Sequence, residues 1–179
     1  MKATGIVRRI DDLGRVVIPK EIRRTLKIRE GMPMEIFTDA SGEVILKKYS
    51  VVGEMSRVAE GYVETLVSLT GFGAIICDTE QVIAIAGPVR KEIMNRQVSE
   101  QMEELMHQKR NFRAEDDKTL LIAKDFPAAA LAVYPVVSMG DAMGAVILQK
   151  SDKSPAKIST EAVESLRTAA MFLSRQLEE

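Results

Sequence analysis

The run Gly14-Arg15-Val16-Val17-Ile18-Pro19-Lys20-Glu21-Ile22-Arg23-Arg24-Thr25-Leu26 holds the side chains with the most specific chemistry in this sequence. Residues 1 to 29 carry nine bases (Lys2, Arg8, Arg9, Arg15, Lys20, Arg23, Arg24, Lys27, Arg29) and three acids (Asp11, Asp12, Glu21), a local charge of +6. The remaining 150 residues carry 16 bases and 23 acids, so a net charge of −1 conceals a basic end and an acidic remainder. Asymmetry of this size marks a surface that meets a polyanion. Arginine suits the task, because its planar fork grips a phosphate or the guanine edge with two parallel hydrogen bonds. Pairing with Asp11, Asp12 and Glu21 is the competing explanation, but three acids leave most of nine bases without a partner.

Other chemistry is poorly provided for. One cysteine (Cys77) and one histidine (His107) exclude an intramolecular disulfide and the usual Cys/His zinc sets within one chain. No Ser-His-Asp triad or Cys-His pair exists unless His107 serves in it. Cys77 follows Ala74-Ile75-Ile76 and reads as a small buried hydrophobe, and His107 as a surface residue beside Gln108-Lys109-Arg110. Gly71-Phe72-Gly73 lacks the Lys-Ser/Thr of a nucleotide loop. Nothing points to catalysis or to a metal. No run of about 18 uncharged apolar residues crosses a membrane, and the start has no secretory core. A cytoplasmic protein is expected.

The elements that position the bases follow from pattern. Residues 2 to 10 and 15 to 18 alternate like strands around Asp11-Asp12-Leu13-Gly14, read as a four-residue turn that pairs Ile10 with Arg15. On that register Arg8 and Arg15 are diagonal neighbours on one face, roughly 7–8 Å apart. Pro19 suits a first helical position, and a helix is expected over residues 20–28, stopped by Gly31. Ile22 and Leu26 then form a buried stripe, while Lys20, Arg23, Arg24 and Lys27 share another face at i, i+3, i+4 and i+7. A second hairpin runs from Met34 to Phe37 and from Glu43 to Lys48. A unit of this size buries too little surface to stand alone and, without disulfide or metal, is expected to complete its core with a second copy.

From Val51 the pattern turns helical, with Val52, Met55, Ala59, Tyr62, Leu66 and Leu69 in a heptad seam. Strands are expected at 74–77, 82–86, 119–123, 130–137 and 142–148, and residues 89–110 read as polar and helical. A final helix begins near Ser159, a favourable N-cap, with Val163, Leu166, Ala170, Leu173 and Leu177 repeating the seam. The chain thus divides into residues 1–50 and 51–179, the second an α+β unit with a five-stranded antiparallel sheet. The breadth of the two seams predicts that helices flanking this unit also meet a neighbour, through Leu66, Leu69, Leu166 and Leu173, to give a tetramer.

Residues 1–48, from Thr4-Gly5-Ile6-Val7-Arg8-Arg9-Ile10-Asp11-Asp12-Leu13-Gly14 through the run above to Val44-Ile45-Leu46-Lys47-Lys48, resemble the AbrB-type DNA-binding domain almost residue by residue. That resemblance implies a swapped-hairpin β-barrel, an intertwined dimer that binds double-stranded DNA through arginines. Arg8, Arg15, Arg23 and Arg24 match the family's DNA-contacting arginines; Lys2, Arg9, Lys20 and Lys27 join them on charge and spacing. The whole chain looks like regulators that join this domain to a GAF-like domain. The resemblance implies an activator and repressor of genes late in endospore development, nucleoid-associated and in the forespore. A small-molecule effector in the GAF-like domain is allowed for, with no recognisable cofactor signature. The alternatives are an AbrB-like antitoxin and a nucleoid-type DNA-binding protein without a ligand.

Overall fold

Aspartate-glycine turns organise the first part of the chain. In the computed structural model, which describes residues 4–28, 30–32, 34–48, 56–114, 119–151 and 157–178, the chain divides into two compact units, Met1–Tyr49 and Ser50–Glu179. Each is considered by itself.

In the first unit, β1 (Met34–Thr38) and β2 (Val44–Lys48) form an antiparallel hairpin in the register Met34↔Lys48 to Thr38↔Val44. Asp39 closes it: its carboxylate accepts from the Ser41 and Glu43 amides at 3.0 and 2.9 Å and from the Ser41 hydroxyl. Gly42 supplies the left-handed residue, with φ of 85°. Residues 11–15 repeat this construction around Gly14. The short helix α1 (Lys20–Thr25) follows Pro19 directly. The extended residues 4–10 and 15–18 form no ladder beyond their turn, contrary to the strand pairing expected there. Most of their apolar side chains stay open to solvent within the protomer: Val7 is 84% exposed and Val17 70%.

The second unit is built on a sheet with the order β4-β3-β8-β7-β5, and β6 also pairs with β7. Its strands are β3 (Gly73–Asp78), β4 (Val82–Ala86), β5 (Phe112–Arg113), β6 (Leu120–Leu121), β7 (Ala129–Ser138) and β8 (Asp141–Gln149). All pairings are antiparallel. Five strands were expected; the sixth, β5, has two residues, too few to show alternation. Residues 89–110 depart further from expectation. They give a 3-10 turn at Lys91–Ile93, an extended stretch, and a helix α3 only at Glu100–His107. Tertiary hydrogen bonds claim the stretch before the helix: the Val82 amide donates to Arg96 O and the Asn95 amide to Val82 O, both at 2.9 Å. Helix formation resumes where Ser99 caps it, accepting from the Met102 amide at 3.1 Å.

Sheet alternation divides the core. Ala74, Ile76, Val146 and Leu148 face α2 (Ser56–Thr70) and α4 (Thr160–Gln176). Ile75, Cys77, Ala145 and Ile147 face α3 and the loops on the opposite side. A sheet covered on both faces has no polar side to show, hence the unbroken apolar run of β3. Asp78 ends that strand, its buried carboxylate accepting from the Glu80 and Gln81 amides, each at 2.7 Å. Cys77 is fully buried, and burial first, then the neighbouring Asp78 charge, pushes its thiol up to about 12. A thiol so placed packs as a small hydrophobe.

The helix seams require a correction. Leu66, Leu166 and Leu173 do not face a neighbouring chain; they are buried in the protomer's own core, and Leu66 is 2% exposed. The buried stripe of α2 runs through Ala59, Val63, Leu66 and Thr70, which leaves Leu69 68% exposed on the outer side. Val52 and Met55 lie outside the described residues. One seam suffices to cover one sheet face, so periodicity did not separate inner from outer contacts.

Close packing at the β3–β8 crossing makes a test. A Cβ on Gly144 would stand 2.2 Å from the carbonyl oxygen of Cys77, whereas one on Gly61 in α2 would meet nothing within 4 Å. Gly144→Ala is therefore expected to destabilise by about 1–3 kcal/mol, and Gly61→Ala to stabilise by about 0.5–1 kcal/mol. Denaturant unfolding of the two variants beside the parent checks both signs.

Candidate nucleic-acid interface

Asp11 fixes the first of the basic side chains. Its amide donates to Arg15 O at 3.1 Å, and Gly14, with φ of 76°, donates to Asp11 O at 3.0 Å. The loop therefore has three residues, with Asp11 opposite Arg15, and not four with Ile10 opposite Arg15. This is a type I turn closed by a glycine bulge. A shift by one residue reverses the faces. The register of the turn therefore differs from the one that would make Arg8 and Arg15 diagonal neighbours, and no ladder continues beyond it to fix their faces.

The Asp11 carboxylate accepts from the Leu13 and Arg15 amides at 3.0 and 2.8 Å and from Arg15 Nε at 2.8 Å. The Arg15 amide first, and then its guanidinium, hold this carboxyl below its usual 3.8. The ion pair orients Arg15 without covering it, since 69% of its side chain stays exposed. Sequence reasoning treated the neighbouring acids only as competitors for the bases. Here one acid is what aims an arginine, and the Asp-x-x-Gly spacing shared by residues 11–14 and 39–42 was the legible signal.

The helical bases divide. Lys20 and Arg24 are exposed on α1, and Arg23 is half-buried with its Nε unpartnered. Lys27 does not join their face: the helix ends at Thr25, Leu26 caps it, and Lys27 turns left-handed with φ of 52°. Backbone bonds from Lys27 to Arg24 O and from Ile28 to Arg23 O stop the helix before Gly31 is reached. Arg8 and Arg9 are exposed in the extended arm, and Lys2 lies outside the described residues. Among the described residues, no carboxylate stands within ion-pair distance of Arg8, Arg9, Lys20, Arg23 or Arg24.

Beside these bases lies an open apolar cleft of about 270 Å³, lined by Thr4, Ile6, Glu21, Ile22, Thr25 and Leu26. It contains the expected stripe of Ile22 and Leu26, which the protomer leaves uncovered. No helix among the described residues is long and apolar enough to cross a membrane, and none of their His, Cys, Asp and Glu side chains group to hold a metal ion.

The Asp11–Arg15 pair has a measurable signature. In an NMR titration the Asp11 carboxyl should protonate below 3.8 in the parent and move up towards it in Arg15→Ala. A depressed carboxylate contributes its stability above its unfolded pKa and loses it as pH falls through the folded one, so the turn should loosen only in acid.

Comparison with known proteins places these features in a family. Residues 54–178 match the family model described as stage V sporulation protein T C-terminal, transcription factor. Residues 7–53 match that of the antidote-toxin recognition protein MazE, a bacterial antitoxin. The chain is 47% identical over 181 residues to stage V sporulation protein T of Bacillus subtilis (strain 168), with 100% of both chains covered. It is 40% identical over 101 residues to the transition state regulatory protein AbrB of the same organism, covering 53% of this chain and 96% of that protein. The GAF domain of an Acinetobacter phosphoenolpyruvate-protein phosphotransferase overlays on 69% of this chain and 82% of its own with a TM-score of 0.56 at 16% identity, a likeness of fold. The first unit is thus AbrB-like, the second has the GAF fold, and the chain belongs to the stage V sporulation protein T family of transcription factors.

Proposed function

We propose that this chain is a homo-oligomeric regulator that binds double-stranded DNA through the arginines of its first unit. In this reading it activates some late endospore-development genes and represses others. The observation that carries the reading is the set of exposed cations without carboxylate partners, Arg8, Arg9, Lys20 and Arg24, beside the aspartate-aimed Arg15. Arg23 completes the patch on α1, Lys27 stands just past the helix end, off that face, and Lys2 joins from the sequence. A cytoplasmic, nucleoid-associated place in the forespore follows from the same reading. The second unit serves oligomerisation and effector sensing. The antitoxin alternative draws on residues 7–53 alone.

Dimerisation through the first unit is supported by what the protomer leaves exposed. Val7, Ile10, Val16, Val17 and Leu26 face solvent, and the cleft at Ile22 is open. Two interleaved copies of these arms would bury them in a swapped-hairpin barrel and double the arginine face. A second contact is supported on the outer side of α2 and α4. There Tyr62 and Phe172 stack with ring centroids 4.9 Å apart, and Val58, Leu69 and Met171 are exposed beside them. Two kinds of two-fold contact give a closed tetramer, with Leu69 and Phe172 taking the role expected of Leu66, Leu166 and Leu173.

DNA affinity should fall with salt. Four phosphate contacts per chain in a DNA-bound dimer release about eight counterions, a slope of log K on log salt near −7. Replacing Arg8, Arg15, Arg23 or Arg24 by Ala should cost about 1–3 kcal/mol each where the residue reads a base. Unchanged affinity in the quadruple variant would rule the assignment out.

Sedimentation tests the assembly. The full chain should have a mass near four chains, and Leu69→Glu with Phe172→Glu should reduce it to two without altering the circular dichroism. A double variant that stays tetrameric would remove the helical contact.

A further inference from the structure

Two arginines in the second unit share one aromatic ring. The guanidinium carbons of Arg90 and Arg96 lie 4.3 and 4.8 Å from the centroid of Phe126. The ring itself is only 8% exposed and belongs to the core beneath α3. The loops that carry these residues are tied together. Lys124 donates its amide to Gln97 O at 2.8 Å, and Val98 bridges Ala123. Arg90 Nη2 donates to Pro127 O at 3.3 Å and Arg96 Nε to Glu92 O at 2.8 Å, so each guanidinium is anchored through one nitrogen. Asn95 and Asp125 turn left-handed, with φ of 62° and 52°, within these same loops.

Fixing two like charges so close requires a reason. The guanidinium carbons stand no farther apart than the two ring distances taken together, about 9 Å, inside one screening length at moderate salt. Glu92 and Asp125 belong to the same loops, yet among the described residues no carboxylate pairs with either arginine. One cation–π contact would hold the ring; a second adds repulsion. Both arginines are exposed, and their remaining N–H groups are unspent. The buried ring offers no free face to a base or another aromatic, so the site selects for charge.

We propose that Arg90 and Arg96, mounted on Phe126, bind a small polyvalent oxyanion: the phosphoryl or polycarboxylate group of a metabolite. Two forks no more than about 9 Å apart suit an anion with charge on more than one group. The inference gives the effector-sensing role of the second unit its ligand chemistry and does not rest on the DNA-binding role of the first.

The test uses the full chain carrying Arg8→Ala, Arg15→Ala, Arg23→Ala and Arg24→Ala, so that the first unit contributes little anion binding. Pyrophosphate and, separately, citrate are titrated by calorimetry at fixed ionic strength. Saturable binding of at least one probe is expected, and the tighter probe identifies phosphoryl or carboxylate as the preferred source. Adding Arg90→Gln and Arg96→Gln should weaken that binding at least about tenfold and leave the melting temperature in probe-free buffer unchanged. If the double replacement fails to fold, Arg90→Gln and Arg96→Gln are made singly, each expected to weaken the preferred probe severalfold. Absence of saturable binding by either probe into the millimolar range, or undiminished affinity in the glutamine variants, overturns the proposal. DNA affinity of the chain with its native first unit, measured alongside, stands or falls independently.

Discussion

The first unit leaves most of its apolar side chains in water, and that constraint governs the rest of the molecule. Full burial of a side chain the size of valine or isoleucine contributes about 1.5–3 kcal/mol, and this unit forgoes that gain at Val7, Ile10, Val16, Val17 and Leu26. Hairpin turns and one short helix do not by themselves offset the conformational entropy of ordering such a segment. In the proposed dimer the missing burial comes from a second copy, and Val7, Ile10, Val16 and Val17 share their two arms with Arg8, Arg9 and Arg15. In the proposed function, assembly and DNA recognition therefore draw on one stretch of sequence, and a change that disturbs the apolar positions should disturb the basic ones.

Charge placement in that stretch depends on local geometry as much as on count. Asp11 organises the turn, closes it through three hydrogen bonds and holds Arg15 in one orientation. Exposed ion pairs contribute little to stability, so the value of this one lies in positioning. The second Asp-x-x-Gly turn, around Asp39, closes the β1–β2 hairpin with the same economy of parts. Neither turn needs tertiary support, because each carboxylate bonds only within five residues.

The second unit solves a different problem. Its sheet is covered on both faces, by α2 and α4 on one side and by α3 with its loops on the other, so it has its own core and no comparable deficit. With stability supplied by that core, the loops above it are free to carry polar arrangements that add nothing to packing. The Arg90–Phe126–Arg96 cluster is one of them. The outer sides of α2 and α4 instead expose apolar residues, Val58, Leu69 and Met171, with Phe172 stacked on Tyr62.

Much of this was legible in the sequence because it rests on short-range physics. The basic end was a matter of counting, and the proline-started helix, the glycine-containing turns and the Ser159 cap each follow from bonds spanning a few residues. Short apolar runs bounded by turn residues located β3, β4, β7 and β8 to within about two residues. Tertiary structure decided what local pattern left ambiguous. Whether the turn at residues 11–15 held three residues or four depended on one hydrogen bond, which sets Asp11 and not Ile10 opposite Arg15. The stretch before Ser99 gave up helix because the edge strand offered its backbone better partners. Leu66, Leu166 and Leu173 went to the protomer's own sheet because an amphipathic stripe records only that something apolar covers it, whereas the three-dimensional arrangement of sheet and helices determines what does.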